Sequence, residues 1–330
     1  MSPSAELLKF YSGTAMAYKQ FSTHSRRIAH TALIALGISC TSLQAQSVSE
    51  GQAVIHRAQF VEDIGASQRI DFSGKLRMLS QRIVAAGCNY AAGIDPERSG
   101  AMLRATSEEF QRIVDALEYG DPDLGIIGVE ERRRTLVGIS KLRTLWDPTN
   151  ETAQLIAQGN GSPELVAQLA NQSAPLLEMA KLLVSEISAE YSDPTAVLQA
   201  DALVIDIAGR QRMLSQRMSK NVCLIRSDIN TATATGELQG AMQMFEVSLM
   251  ALRHGMPDAG IKEPPTDEIT AGLDVVIDDW NGLKPIVTGI LAGESIDEEQ
   301  RAIMFNGALT MTGHMNTVVG LYSEDSKLGL

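Results

Sequence analysis

Aromatic residues make up only 5% of this 330-residue chain, with two Trp, six Tyr and seven Phe. A core built from so few rings must be filled by aliphatic side chains, and the abundance of Ala, Leu, Met, Gln and Glu favours helices. Strand-like alternation of polar and apolar residues is absent. Histidine is scarce as well. His56, His254 and His314 stand alone, with no His-x-x-x-His or Glu-x-x-His pair to present metal ligands on one helical face. The three cysteines include no Cys-x-x-Cys-His, which excludes covalent attachment of c-type haem. No Ser/His/Asp set, nucleotide loop or pair of catalytic carboxylates can be placed, so the chain is not read as an enzyme and no cofactor is expected. Beyond the N-terminal region no run is apolar enough to span a membrane.

The first 45 residues differ from the rest. Lys19, Arg26 and Arg27 form a basic patch, Ile28 to Leu43 is mostly apolar, and Leu43-Gln44-Ala45 resembles a small-residue cleavage site. This is the layout of a secretory signal peptide. Met16 gives a more ordinary signal length than Met1. Ser25-Arg26-Arg27 is a weak twin-arginine signal, and Cys40 after Gly37-Ile38-Ser39 makes a poor lipoprotein site. The expectation is a signal peptide over 1–45 and a mature protein soluble in the periplasm. Processing removes four basic residues (Lys9, Lys19, Arg26, Arg27) and one acidic residue (Glu6) from a formal charge of −12, which leaves −15. So acidic a chain is a poor partner for nucleic acid or anionic membranes.

What the sequence does have is a duplication. Gly74-Lys75-Leu76-Arg77-Met78-Leu79-Ser80-Gln81-Arg82 recurs as Gly209-Arg210-Gln211-Arg212-Met213-Leu214-Ser215-Gln216-Arg217, with seven of nine positions identical at an offset of 135. The same offset maps Cys88 onto Cys223, Phe110 onto Phe245, Leu117 onto Leu252, Gly120 onto Gly255 and Pro122-Asp123 onto Pro257-Asp258. At 134, Trp146 maps onto Trp280 and Gly159 onto Gly293. Breakers divide each unit into four helical stretches, roughly 52–92, 99–119, 128–158 and 163–191, then 195–228, 235–254, 266–292 and 296–325. The expected fold is all-α, two tandem up-down-up-down four-helix bundles. Residues 46–192 form the first and 193–330 the second, joined at Ser192-Asp193-Pro194.

At about 100° per residue, Phe72, Leu76, Leu79, Ile83 and Ala86 make one stripe of the box helix, the core side. Arg77 shares another face with Ser73, Gly74, Ser80, Gln81, Val84 and Cys88. Arg212 has the matching set Ala208, Gly209, Ser215, Gln216, Ser219 and Cys223. One reading makes these solvated faces with paired arginines. The other makes them an anion site, because surface positions seldom stay matched after duplication. A short junction lets the two box helices run parallel, so that Arg77 and Arg212 meet. A planar oxyanion between them would take two charge-assisted hydrogen bonds from each guanidinium. Ser80, Ser215, Gln81 and Gln216 would supply further donors. Cys88 and Cys223 lie eleven residues after their arginines, roughly 16 Å along the helix. They admit either a disulfide between packed box helices or two small buried thiols. Trp146 and Trp280 read as core anchors. Met242, Met244, Met250, Met304, Met311 and Met315 read as core filling rather than metal sites.

The box resembles the conserved motif in the sensor domains of NarX-like nitrate/nitrite histidine kinases and in the N-terminal domain of PilJ-type methyl-accepting transducers. That resemblance implies periplasmic four-helix bundles. It implies that Arg77 and Arg212 correspond to the arginine that holds nitrate between two parallel box helices, and Arg82 and Arg217 to the arginine closing the box. It further implies a membrane-bound signalling or transport partner. The alternative is a helical interaction or scaffold protein linked to chemotaxis or type IV pili.

Overall fold

The computed structural model describes residues 48–191 and 199–328, with side chains over 67–191 and 201–326. The expected signal peptide, its cleavage site after Ala45 and the junction Ser192-Asp193-Pro194 lie outside the described residues. The chain divides into two units, Met1–Asp63 and Ile64–Leu330. Of the first, residues 48–63 are helical.

Eight α-helices are described: α1 (Val48–Ala91), α2 (Pro96–Tyr119), α3 (Arg133–Ala157), α4 (Pro163–Tyr191), α5 (Gln199–Arg226), α6 (Thr231–His254), α7 (Asp267–Leu291) and α8 (Glu298–Leu328). They form two four-helix groups, α1–α4 and α5–α8, so the chain is all-α with tandem bundles. Among the described residues there is no β-strand. No helix there is long and apolar enough to cross a membrane.

The duplication extends to the turns. Single 3-10 turns at Pro122–Leu124 and Pro257–Ala259 follow α2 and α6. Each is closed by one antiparallel bridge, Asp121 to Ile126 and Met256 to Ile261. Both end on a left-handed glycine, Gly125 at φ 70° and Gly260 at φ 73°, where a side chain would be strained.

Of the helix starts that differ from the sequence reading, three have a local reason. α2 begins at Pro96 rather than 99, because Pro is preorganised for a first turn and the Asp95 carboxylate accepts from Arg98 N. α6 begins at Thr231 rather than 235, since the Thr235 hydroxyl bonds back to the Thr231 carbonyl and the helix tolerates the threonines. α3 begins at Arg133 rather than 128. The stretch before it is pinned by Glu130 N on the Glu118 carbonyl and by Arg69 on the Gly128 carbonyl at 2.6 Å.

Each bundle is centred on a Phe–Trp pair. Phe110 stacks on Trp146 at 3.9 Å, and Phe245 meets Trp280 at 5.2 Å in a tilted arrangement. Both indole N–H groups donate to the residue after the Phe, Trp146 to Gln111 and Trp280 to Glu246. Met304, Met311 and Met315 are buried as core filling. Met250 is exposed and Met242 and Met244 half-buried, a correction to the sequence reading: they sit on the outward faces of α6, whose core side carries Ala241, Phe245 and Leu249.

Candidate functional site

Of the expected stripe, Leu76, Leu79, Ile83 and Ala86 are fully buried within the first bundle, whereas Phe72 is only half-buried, with Lys75 Nζ over its ring at 4.5 Å. Ser73, Ser80, Gln81, Val84 and Cys88, on the other faces of the same helix, are also buried. The box helix is covered all round because the second bundle packs against it. Cys88 and Cys223 form a disulfide that joins α1 to α5, with Cα atoms 6.1 Å apart.

Arg77 and Arg212 meet across this seam, 7% and 4% exposed. Arg77 Nη1 lies 3.0 Å from Asp206 Oδ1, and Arg212 Nη2 lies 3.5 Å from Asp71 Oδ1. The two ion pairs are reciprocal, since Asp71 and Asp206 are themselves related by the offset of 135. Contact pairs at offsets of 129, 135 and 141 are symmetric about the repeat spacing, as two parallel helices around a pseudo-twofold axis require. The guanidinium groups sit beside the box glycines. A Cβ on Gly209 would lie 3.4 Å from Arg212 Nη2 and 3.7 Å from Arg77 Nη2, so both heads converge there. Each Nε donates to the carbonyl of its own box glycine, Gly74 or Gly209, at 3.4 Å. Arg212 Nη1 also donates to Asn316 Oδ1 at 2.8 Å.

Electrostatics at the seam follow from this crowding. Burial pushes the Arg212 pKa down and the nearby Arg77 charge adds to that, against the pull of Asp71. Burial works to raise the Asp206 pKa, but Arg77 and then Arg210 outweigh it and hold the carboxyl below its ordinary value. The Asp206 carboxyl is therefore ionised at neutral pH.

Ser80, Ser215, Gln81 and Gln216, expected as further donors to an anion, make their hydrogen bonds inside their own bundles. Ser80 Oγ donates to the Arg77 carbonyl, and Gln81 Nε2 to Ser173 Oγ on α4. Ser215 and Gln216 reach the Ala308 carbonyl and Thr312 Oγ1 on α8. A buried polar group must be paired, and Gln81, Ser215 and Gln216 find partners on the packed helices α4 and α8 while Ser80 bonds back within α1. Arg82 and Arg217 turn outward to carboxylates on the second helix of each bundle, Glu109 and Glu237. Asp71, Asp206 and Asn316 are site residues that the sequence reading missed. For the aspartates the signal was present, because Ile70-Asp71 recurs as Ile205-Asp206 just before a window that opens on Gly74 and Gly209. Among the described residues no group of three or more His, Cys, Asp or Glu could hold a metal ion.

The family model for PilJ, the N-terminal region of type IV pili methyl-accepting chemotaxis transducers, matches residues 63–172 and 195–304. The chain belongs to the PilJ family. Each PilJ match takes in a box helix, the two helices after it and the start of the fourth. The chain is thus a tandem of PilJ sensing modules, and PilJ domains are non-catalytic signalling units. No curated protein matches it.

Proposed function

We propose that this PilJ tandem is a periplasmic sensor module for a small oxyanion, nitrate or nitrite, held between Arg77 and Arg212. One observation carries the reading: two buried arginines from matched positions converge on one seam, and each already holds a carboxylate oxygen from the opposite repeat. A carboxylate offers the same planar pair of oxygens that nitrate does, so Asp71 and Asp206 act as tethered anions that the ligand displaces. Export through the N-terminal signal places the module outside the cytoplasm. A membrane-bound signalling or transport partner then reads the exchange.

A second reading rests on the same ion pairs. Both arginines are satisfied without any ligand, as in a helical scaffold for chemotaxis or pilus proteins whose seam is purely structural. Calorimetric titration of the purified protein with nitrate, nitrite, sulfate and chloride separates the two. On the sensor reading Arg77→Ala and Arg212→Ala each weaken nitrate binding about ten- to a hundred-fold. The double variant is little worse than either single one, since the pair forms one site. Asp71→Asn and Asp206→Asn tighten binding by removing the internal competitor. Additive losses would mean separate sites in each bundle. Oxyanion binding that ignores both arginines would leave the scaffold reading standing.

A further inference from the structure

Among the described residues the buried arginines are matched to acids: Arg69 to Glu130, Arg77 to Asp206 and Arg212 to Asp71. Two half-buried ones near the disulfide are not. Arg226, in the last turn of α5, makes no hydrogen bond or ion pair with any described residue, and its Nε is enclosed without a partner. Arg301, in the first turn of α8, has an enclosed, unpartnered Nε too. Its Nη2 donates to Ser227 Oγ at 3.3 Å and lies 3.9 Å from Cys223 Sγ. The antiparallel course of α5 and α8 brings the two cations to the same end of the second bundle. Burial and then repulsion from Arg226 depress the Arg301 pKa, and the one acid acting against this, Glu298, is the weakest of the three influences. The first bundle has no such pair, since Ala91 and Val166 stand at the equivalent positions, the caps Ser162 and Asp297 fixing the register of α4 against α8.

Two neighbouring guanidinium groups with no carboxylate paired to either repel unless an anion lies between them. That they persist in a chain of formal charge −12 argues that the cations are placed there. We propose that Arg226, Arg301 and the Ser227 hydroxyl form a second anion site, for a small doubly charged oxyanion such as phosphate or sulfate. Two positive charges match a dianion, whereas nitrate leaves one uncompensated. Ser227 Oγ accepts from Arg301, and its hydrogen faces only the disulfide sulfur Cys88 Sγ at 3.9 Å, a weak acceptor that an anion oxygen would replace. Arg212 and Arg226 are fourteen residues apart on α5, roughly 21 Å along the axis, so this site is distinct from the motif seam.

The test is a thermal-shift and calorimetric titration of the full protein with phosphate and sulfate at constant ionic strength, with chloride and nitrate as controls. Phosphate and sulfate are expected to bind and raise the melting temperature of wild type and of Arg77→Ala alike. Arg226→Gln and Arg301→Gln should each weaken that binding at least about tenfold. Arg226→Gln is the decisive variant, because its side chain contributes no bond to the fold. Unchanged affinity in both Gln variants overturns the proposal. So does a loss of phosphate binding in Arg77→Ala alone, which would assign the anion to the motif seam, or an equal response to chloride, which would be ionic strength only. Nitrate binding that fails while phosphate binding follows Arg226 would remove the sensor reading and leave this site standing.

Discussion

At the scale of single residues, Gln211 separates the two bundles. It occupies the position of Leu76 on the core stripe, is fully buried, and neither its Nε2 nor its Oε1 has a partner. A buried amide left unpaired costs about 1–3 kcal/mol. Gln211→Leu, which copies the first bundle, is expected to raise the denaturant midpoint of the protein; an unchanged or lowered midpoint would show that the amide is satisfied in solution. Much of this residue-scale picture was legible in the sequence. The matched arginines stood out because duplication preserved them, and their convergence followed from two parallel helices. Gln211 was legible only as a mismatch inside the box, although the helical wheel already placed it on the core side. The role of Gln81 was not legible, because its partner Ser173 depends on which helix packs closest, whereas Ser80 simply bonds back to the Arg77 carbonyl one turn earlier.

At the scale of elements, α5 and α6 carry an ion cluster that α1 and α2 lack. Lys220 is buried against Glu237 at 2.7 Å, and Arg217 joins the same carboxylate at 3.2 Å. Ala85 and Met102 stand at the equivalent positions of the first bundle. Burial would raise the Glu237 pKa, but Lys220 and Arg217 prevail and bring it down to about 2. A carboxyl with a depressed folded-state pKa stabilises fully above its ordinary pKa near 4.5, and this contribution is lost as pH falls toward about 2. Wild type should therefore lose more melting temperature between pH 5 and pH 2 than the double variant Lys220→Ala/Glu237→Met, compared by scanning calorimetry. Glu237→Met alone leaves a buried ammonium unpaired and should cost about 3–5 kcal/mol at neutral pH, most of which the double change recovers. If single and double variants are equally unstable, the pair is not what holds α5 to α6. Helix existence was readable from breakers and periodicity, while the starts of α2, α3 and α6 depended on a cap, a tethered loop and a back-bonded threonine.

On the scale of the whole molecule, the described residues join the bundles through one covalent bond, two crossed ion pairs and the hydrogen bonds of Asn230 to Asn171 and Asn306 to Asp95. The Cys88–Cys223 bond closes a loop of 135 residues, and the chain-entropy account gives such a crosslink on the order of 5 kcal/mol. Reduction by dithiothreitol, or Cys88→Ser with Cys223→Ser, should lower the melting temperature markedly. Peptide mapping of non-reduced protein should recover the two cysteine peptides as one linked species. Two free thiols in oxidised protein would contradict the described seam. The sequence held both cysteines at matched positions but left a bridge and two separate thiols equally open. What decides between them is whether α1 and α5 touch, which is a property of bundle packing and not of either helix.

The reciprocal pairing of Arg77 with Asp206 and Arg212 with Asp71 is made within a single polypeptide. Each half of the seam therefore meets the other at a fixed, high effective concentration, and dilution cannot part them. A receptor assembled from two identical chains must keep its halves alike, because every substitution appears twice. Here the halves are free to diverge, and they have: the polar Gln211 and the unmatched Arg226 each exist on one side only.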